Sequence, residues 1–315
     1  MVPKLIIHGG AGSAIKDESR KDAVRDALMR VAEAGYEFLA SGVSARQAVV
    51  HTAEMLEDSP HFNAGLGSAI QSDGQIRMSA SLMDGAEQSF SGVINIQKIQ
   101  HPIGVANHLQ SMRDRVLAWP GTEELARELE LPVFNPMVER RLREWRVEYG
   151  EEFQKEAANV GAEDDDRGKG TIGVVAIDEQ GRIAAGTSTG GRGFEYVGRV
   201  SDSATVAGNY ATEHAGISCT GIGEHIVDAA LGARVVTRVT DGMSLREALK
   251  RSMDECEERE HVLGAIAIDA DGNIAWGKTS DILLAAWHDG ERLDHTVDIP
   301  HEPLVDGVGA GDVGE

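Results

Sequence analysis

Residues 172–188 read IGVVAIDEQGRIAAGTS and residues 263–279 read LGAIAIDADGNIAWGKT, and the two stretches align without a gap. Each has an apolar run, a turn that contains Gly (residues 179–181 and 270–273) and a second apolar run, which predicts a β-hairpin. Because Val174–Ile177 and Ala265–Ile268 are apolar at every position, we expect both hairpins in sheets that are buried on both faces. No third copy recurs at this period, which excludes a solenoid.

The rest of the chain supplies further strands and flanking helices. Two helices begin with a capping box, Ser44 with Gln47 and Ser244 with Glu247. Apolar residues at helical spacing predict another helix near the N-terminus. The other predicted elements are a strand at Leu5–Ile7 that runs into the glycine turn His8–Gly12, helices at about 18–39, 44–56 and 244–258, and a third hairpin at 68–83 with its turn at 72–75. The sequence therefore predicts an α/β fold.

The charge of the chain excludes several kinds of partner. With 30 Lys and Arg against 52 Asp and Glu, the net charge is −22, which argues against nucleic acid and against anionic membrane surfaces. No apolar run is long enough to span a membrane, and the N-terminus has no apolar signal segment. The only cysteines, Cys219 and Cys256, indicate a reducing compartment, so we expect a cytoplasmic protein.

Arginine is far more common than lysine among the basic residues, since only 8 of the 30 are lysines. Many carboxylates with few lysines are typical of proteins that stay soluble at very high salt, where self-repulsion is screened. We therefore expect a protein from a halophile. An ordinary acidic cytosolic protein is the alternative.

The motifs that are missing narrow the chemistry further. The 11 histidines never fall into a metal-ligand spacing, and no nucleophile elbow, P-loop or kinase motif occurs. The turn His8–Gly12 follows a strand but lacks the spacing of a dinucleotide-binding loop. What remains is three clusters of Thr or Ser beside Gly, at residues 170–171, 187–191 and 218–224. Any one of them would be ordinary for a strand end and a turn.

Together these clusters suit a threonine nucleophile. Thr171 follows the stretch NVGAEDDDRGKG (159–170), whose Asp and Gly content predicts a mobile linker over about 155–170. A Thr hydroxyl is a poor nucleophile without a base, and its own α-amino group serves if the chain is cut before it. That amine titrates near ~8, so it exchanges a proton at neutral pH. Gly170 would leave the scissile carbonyl uncrowded.

Six pieces of the sequence occur in the order of a known family: IIHGGAGS (6–13), FNAGLGSAIQSDG with MDG (62–74 and 83–85), GTIGVVAID (170–178), AAGTSTGG (184–191), GRVSDS (198–203) and SCTGIGE (218–224). On these motifs the chain resembles the plant-type asparaginase / isoaspartyl peptidase family of N-terminal nucleophile hydrolases. The resemblance implies a single domain over 1–315 with the four-layer αββα sandwich of that class. It also implies autocleavage between Gly170 and Thr171 into an α chain, 1–170, and a β chain, 171–315.

The resemblance also implies a role for each site residue. Thr171 would be the nucleophile and Thr189 would orient it, with support from Asn63. The Thr220 hydroxyl and the Gly221 N–H would form the oxyanion hole. Arg199 would hold the substrate α-carboxylate and Asp202 its α-ammonium, with room made by Gly221 and Gly223.

Further expectations follow from the resemblance. No cofactor is expected for catalysis, and a structural Na⁺ would be held by backbone carbonyls of Leu56, Glu57, Ser59, Phe62, Ala64 and Leu66. The oligomer would be a homodimer of αβ heterodimers. The chain departs from the family pattern at Ile222, at Ser201 and Ala204, and over Arg192–Tyr196, which we expect to affect turnover or specificity. The region after Lys278 resembles the family poorly.

The resulting prediction is an enzyme that hydrolyses L-asparagine and β-aspartyl dipeptides, two small substrates with the same α-carboxylate, α-ammonium and β-acyl group. Three alternatives stay open at this point. The first is an uncleaved, inactive relative with a structural or regulatory role, and the second is a threonine endopeptidase. The third is a glycosylasparaginase relative, which the HGGAG motif disfavours.

Overall fold

The computed structural model of the chain describes residues 1–158, 170–299 and 304–309. The strands are β1 (Lys4–Gly12), β2 (Met78–Asp84), β3 (Ser89–Ile96), β4 (Val116–Ala118), β5 (Ile172–Ile177), β6 (Ile183–Thr189), β7 (Asn209–Ala211), β8 (Ala215–Gly221), β9 (Leu263–Asp269), β10 (Ile274–Lys278), β11 (Ile282–His288), β12 (Leu293–His295) and β13 (Leu304–Val308). The helices are α1 (Glu18–Ala40), α2 (Ala45–Glu57), α3 (Pro102–Leu109), α4 (Gly121–Glu128), α5 (Glu139–Ala158), α6 (Gly223–Ala229), α7 (Leu231–Thr240) and α8 (Leu245–Glu257), with a short 3-10 turn at Asp202–Ala204. Among these described residues, no helix combines the length and the apolar character needed to cross a membrane.

The strands form two sheets. The first has eight strands in the order β12-β11-β1-β5-β6-β2-β3-β4, and the second has five in the order β13-β10-β9-β8-β7. Neighbours are antiparallel except β3 and β4, which are parallel. The strand that directly follows the predicted nucleophile, β5, therefore lies near the centre of the larger sheet, between β1 and β6.

Alternate residues of the central strands face different layers, as the period of a strand requires. Leu5 and Val174 pack with α1 and α2 in one core cluster, whereas Ile6 and Val175 pack against Ile266 of the second sheet in another. The outer face of the second sheet is covered by α7 and α8. The order is helices, sheet, sheet, helices, which confirms the αββα sandwich.

The two hairpins predicted from the aligned stretches are both present with the same register. Gly173 pairs with Thr187 and Ile177 with Ile183 in β5–β6, and Gly264 pairs with Lys278 and Ile268 with Ile274 in β9–β10. Five of the six pairs of the first hairpin thus have a counterpart 91 positions later in the second. The helices with capping boxes at Ser44 and Ser244 are confirmed as α2 and α8.

The third predicted hairpin, at 68–83, is wrong. The turn forms, with Gln71 N–H donating to the Gln75 carbonyl at 2.8 Å, but no strand precedes it, and β2 pairs with β3 and β6 instead. The backbone of 69–71 is already engaged elsewhere. Ala69 N–H donates to the Asn63 side chain, and the Gln71 carbonyl accepts from the Trp145 indole.

The structure describes the predicted linker, about 155–170, only at its two ends. Helix α5 extends through 155–158, the first residues of the predicted linker, and 159–169 lies outside the described residues. After Lys278, in the region that resembles the family poorly, β11 pairs with β1 and β13 pairs with β10.

Candidate active site

Thr171 and Thr189 meet because of the register of the β5–β6 hairpin. Ile172 pairs with Ser188, so the next positions outward are Thr171 and Thr189. The Thr171 hydroxyl donates to Thr189 Oγ1 at 3.1 Å, and Gly191 N–H donates to the same oxygen at 3.1 Å. The hydroxyl of Thr171 is thereby oriented at a strand end where it stays partly accessible.

Asn63 makes hydrogen bonds to the backbone next to both Thr171 and Thr189. Its N–H donates to the Gly170 carbonyl at 2.9 Å, which is the carbonyl of the predicted cleavage site. Its side chain donates to the Gly191 carbonyl at 2.6 Å and accepts from Ala69 N–H at 2.7 Å. Asn63 therefore contacts the neighbours of Thr171 and Thr189. Its backbone also polarises the Gly170 carbonyl.

Gly170 and Gly10 come close enough that neither tolerates a side chain. Gly170 has φ +137° and Gly10 has φ +130°, and a β-carbon on Gly10 would lie 2.5 Å from Gly170 Cα. Positive φ of this size is readily adopted only by glycine. The glycine turn after β1 is thus a support for the cleavage site.

His8 is the main part of this site that the sequence did not reveal. Its Nδ1 lies 3.0 Å from the Thr171 carbonyl and its Nε2 lies 2.9 Å from Ser218 Oγ. Burial lowers the pKa of His8 to about 3, against a hydrogen bond with Thr171 that raises it, so the ring is neutral. Because a carbonyl only accepts, Nδ1 carries the proton and Nε2 accepts from Ser218. Thr187 Oγ1, 2.6 Å from Ser218 Oγ, continues the chain of hydrogen bonds.

The position of Thr220 follows from how β8 crosses the larger sheet. A β-carbon on Gly216 would contact Val175 and Ile183, and Ser218 contacts Thr187. Two residues further along β8, Thr220 reaches the end of the hairpin that carries Thr171. Its hydroxyl is buried and has no hydrogen-bond partner among the described residues.

Gly221 and Gly223 provide close approach beside this hydroxyl. Gly221 has φ +122°, and a β-carbon there would lie 2.6 Å from Leu263 Cα. A β-carbon on Gly223 would lie 2.6 Å from both Arg199 Nη2 and Asp202 Oδ1. A side chain at either glycine would meet these atoms, and Gly223 brings the backbone against the predicted substrate-binding pair.

Asp202 is buried beside Arg199 in a form suited to a cationic ligand. Ser201 donates to its Oδ1 at 3.2 Å, while Oδ2 is buried and has no partner among the described residues. Burial raises the pKa of Asp202 to about 6, although the charge of Arg199 lowers it. An incoming ammonium would supply the missing partner and favour the ionised carboxylate.

Two glutamates that the sequence did not single out enclose Arg199. Glu195 is 3% exposed and its Oε2 accepts from Arg199 Nη1 at 3.1 Å. Glu224 accepts from Arg199 Nε and Nη2 at 2.8 and 3.0 Å. Partial burial opposes ionisation of Glu224, but the hydrogen bonds and charge of Arg199 keep its pKa below the usual value. The only hint in the sequence was that 192–196 departs from the family pattern.

The loop predicted to hold Na⁺ is tightly wound. Leu66 N–H donates to the Glu57 carbonyl at 2.7 Å, and a β-carbon on Gly67 would lie 2.9 Å from the carbonyl oxygens of Phe62 and Pro60. The carbonyl oxygens of Phe62 and Pro60 therefore both approach the position of Gly67, whose missing side chain leaves them room. This arrangement fits an oxygen-ligated cation.

A cavity of about 800 Å³ borders the cleavage site and is lined by Gly10, Gly170, Arg141 and Arg192 among others, but not by Thr171 or Asp202.

The two cysteines are no part of the chemistry. Both are free and buried, and burial holds the pKa of Cys219 well above its usual value.

Comparison with known proteins identifies the family of the chain. The profile of the asparaginase family matches residues 1–298, which extends 20 residues past Lys278. Curated relatives include isoaspartyl peptidase/L-asparaginase proteins of Nostoc sp., 54% identical over 94% of this chain and 95% of the relative, and of Synechocystis sp., 52% identical over 95% and 92%. A plant-type L-asparaginase of Pyrococcus horikoshii is 35% identical over 90% and 95%. The chain belongs to the asparaginase family.

Proposed function

We propose that this protein is a self-processing amidohydrolase that cleaves L-asparagine and β-aspartyl dipeptides through an ester on Thr171. The observation that carries the proposal is the pair Thr171–Thr189, placed directly after Gly170 at a central strand end. Relatives at 54% and 52% identity carry the name isoaspartyl peptidase/L-asparaginase, which supports the same substrates for this chain.

The first step is cleavage of the chain itself. Thr171 Oγ1 attacks the carbonyl carbon of Gly170, the Gly170–Thr171 amide becomes an ester, and water hydrolyses that ester. The Asn63 N–H, 2.9 Å from the Gly170 oxygen, stabilises the negative charge that develops there. The products are a chain that ends at Gly170 and a chain that begins with a free α-amino group on Thr171.

That amino group then serves as the base for the hydrolytic cycle. It takes the proton of Thr171 Oγ1, which attacks the β-carboxamide carbon of the substrate. The Thr220 hydroxyl and the Gly221 N–H stabilise the tetrahedral oxyanion, and one such donor is typically worth ~3 kcal/mol of barrier. The ammonium returns its proton to the leaving ammonia, or to the amine of the second residue in a β-aspartyl dipeptide. Water hydrolyses the ester and releases aspartate.

Substrate recognition is assigned to the charge pair beside Gly223. Asp202 Oδ2, buried and without a described partner, accepts from the substrate ammonium. Arg199 binds the α-carboxylate, for which its planar fork is well suited. A small zwitterion satisfies both groups at once. An endopeptidase substrate would bring no free α-carboxylate to Arg199.

The test is a denaturing gel combined with ammonia release from L-asparagine. The wild type should give two fragments, of 170 and 145 residues, and release ammonia. The Thr171→Ala variant should give a single band of 33.7 kDa and release none. A wild-type protein that stays in one piece, or a Thr171→Ala variant that still releases ammonia, would contradict the proposal.

We also propose that the loop 56–67 binds a structural Na⁺. Its support is the convergence of the Phe62 and Pro60 carbonyl oxygens beside Gly67, since such hard oxygen ligands suit a hard cation. The ion would stiffen the loop that positions Asn63. Exchange of Na⁺ for choline at constant ionic strength should lower the melting temperature, and a Gly67→Ala variant should lose this dependence.

We propose a homodimer of αβ heterodimers as the assembly. Apolar side chains near the substrate-binding pair are exposed, with Tyr196 at 90% and Val197 at 57%. Patches of this kind mark interfaces. Light scattering should give twice the mass of one αβ unit, and Tyr196→Ser should shift the mass toward one unit.

We also propose that the protein is adapted to high salt and lies in the cytoplasm. The net charge of −22 and the scarcity of lysine support the adaptation to salt, and two free buried cysteines support the cytoplasmic location. Activity and melting temperature should fall when multimolar KCl is removed. Indifference to salt would contradict the adaptation without affecting the assigned chemistry.

A further inference from the structure

The guanidinium of Arg199 is held between two carboxylates of unequal burial. Glu195 is 3% exposed, whereas the side chain of Glu224 is 50% exposed. Glu195 contacts Nη1 alone, and Glu224 contacts both Nε and Nη2. One carboxylate is therefore fixed inside the protein, while the other covers the outer edge of the guanidinium from the solvent side.

Glu195 is fixed by contacts that leave it little freedom. Its Oε1 accepts from Gln71 Nε2 at 2.8 Å, and its Oε2 accepts from Arg192 N–H at 2.7 Å. A β-carbon on Gly191 would overlap Oε1, so the loop closes directly over the carboxylate. A buried carboxylate with these donors stays in place. It holds Nη1 of Arg199 whichever group binds the Nε and Nη2 edge of the guanidinium.

Glu224 makes the contacts expected of a substrate. Two parallel N–H···O bonds to Nε and Nη2 are the bidentate geometry with which arginine binds a free carboxylate. The side chain lies at the rim, and no burial prevents it from turning into solvent. The edge of Arg199 that a substrate α-carboxylate needs is thus covered by a carboxylate of the chain itself.

We infer that Glu224 is an internal competitor that the substrate α-carboxylate displaces from Arg199, and that Glu195 is the positioning residue that keeps Arg199 in place during the exchange. The inference rests on the proposed function of this site. A ligand without an α-carboxylate leaves Glu224 on Arg199, and a ligand with one replaces both of its hydrogen bonds. Arg199 therefore selects for a free α-carboxylate through exchange.

The effect on affinity follows from this competition. Apparent affinity falls by the fraction of molecules in which the edge is free, and a half-exposed ion pair is worth up to about 1 kcal/mol, or about fivefold. In Glu224→Gln, the KM for L-asparagine should fall about fivefold relative to the KM for L-asparaginamide, which lacks the α-carboxylate. In Glu195→Gln, the same ratio should rise about fivefold, because Arg199 loses its anchor. The change should appear in KM more than in kcat.

Glu87→Gln is the matched control, since it removes the same charge from an exposed turn, and its ratio should equal that of the wild type. Calorimetric titration with L-aspartate gives a readout that needs no turnover, and Glu224→Gln should bind about fivefold more tightly. An unchanged or weaker affinity in Glu224→Gln would overturn the inference. Loss of ammonia release in the wild type would overturn the proposed function instead, while the titration would still decide the competition at Arg199.

Discussion

The hairpins β5–β6 and β9–β10 share one backbone arrangement but differ in their relation to the candidate active site. Their strands pair in the same register, and their turns are built alike. Asp178 Oδ1 accepts from the N–H groups of Gln180 and Arg182, and Asp269 Oδ1 accepts from those of Asp271 and Asn273. The shared pattern of apolar strands and an Asp-x-x-Gly turn therefore fixes a scaffold, and it carries no chemistry of its own.

The difference lies in a few positions that face the neighbouring sheet. Gly173 leaves room for His8 and Ser218, whereas its counterpart Gly264 leaves room for the apolar side chains of Leu283 and Ala11. The counterpart of Thr171 is Val262. The first hairpin thus faces a row of buried polar side chains, and the second faces an apolar core. The side chains across the interface between the two sheets therefore determine whether a hairpin belongs to the site.

The largest expected effect comes from exchanging the residues at the first strand ends. Thr171→Val should abolish self-cleavage and reduce ammonia release by about 10⁴-fold or more, because the nucleophile is lost. Val262→Thr should create no new cleavage site, because His261 and not a glycine precedes it, and the hydroxyl of Ser280, the counterpart of Thr189, donates to the Ile282 carbonyl. Gel analysis and ammonia release measure both. A new fragment from Val262→Thr would show that the hairpin alone suffices for cleavage.

Alanine at the two paired glycines should separate the polar interface from the apolar one. In Gly173→Ala the new methyl group would overlap Ser218 Oγ and His8 Nε2, so we expect a loss of about 3 kcal/mol in the free energy of unfolding. In Gly264→Ala the nearest atoms lie at 3.0 and 3.1 Å, and we expect a loss below about 1 kcal/mol. Urea unfolding in the uncleaved Thr171→Ala background gives both values. Equal losses would mean that the two interfaces pack alike.

The buried histidine should give the first hairpin a pH dependence that the second lacks. The folded pKa of His8 is about 3 against 6.5 in the unfolded chain, so the unfolded state binds the proton first as the pH falls. The stability that neutral His8 contributes is complete above pH 6.5 and is lost toward pH 3. Between pH 6.5 and 5.0 the loss is about 2 kcal/mol.

The measurement compares this change with that of a His8→Gln variant, again in the Thr171→Ala background. The difference in the free energy of unfolding between the two proteins should shrink by about 2 kcal/mol over that pH range. A difference that stays constant with pH would show that His8 accepts a proton in the folded state.

The smallest difference between the two hairpins is expected at their turns, where they are most alike. Asp269→Ala removes an acceptor from two turn N–H groups, which should cost about 1 kcal/mol. Asp178→Ala should cost about 2 kcal/mol, because Oδ2 also accepts from Ala45 N–H at the start of α2, at 3.0 Å. Both values come from the same urea titrations. A larger loss in Asp269→Ala than in Asp178→Ala would contradict the structural difference between the turns.

The parts of the site that the sequence missed share one property. His8 contacts Thr171 and Ser218 across 163 and 210 residues of chain, and Glu224 contacts Arg199 across 25. No spacing in the sequence marks such pairs, because folding alone brings them together. The single signal for His8 was a polar residue at the end of an apolar strand. The failed hairpin at 68–83 has a related cause, since its backbone groups bond to distant side chains.

The sequence alone was enough to predict the α/β class, the two hairpins and the glycine-flanked threonines, because apolar period, turn residues and capping boxes act between near neighbours. The motif order indicated the asparaginase family and, through that resemblance, the αββα sandwich. Tertiary packing was needed to make His8 a neutral donor to the Thr171 carbonyl and to place Arg199 between Glu195 and Glu224. It also left buried atoms of Asp202 and Thr220 without a hydrogen-bond partner among the residues that the structure describes. These are properties of burial and distance between remote residues, and they exist only once both sheets have packed face to face.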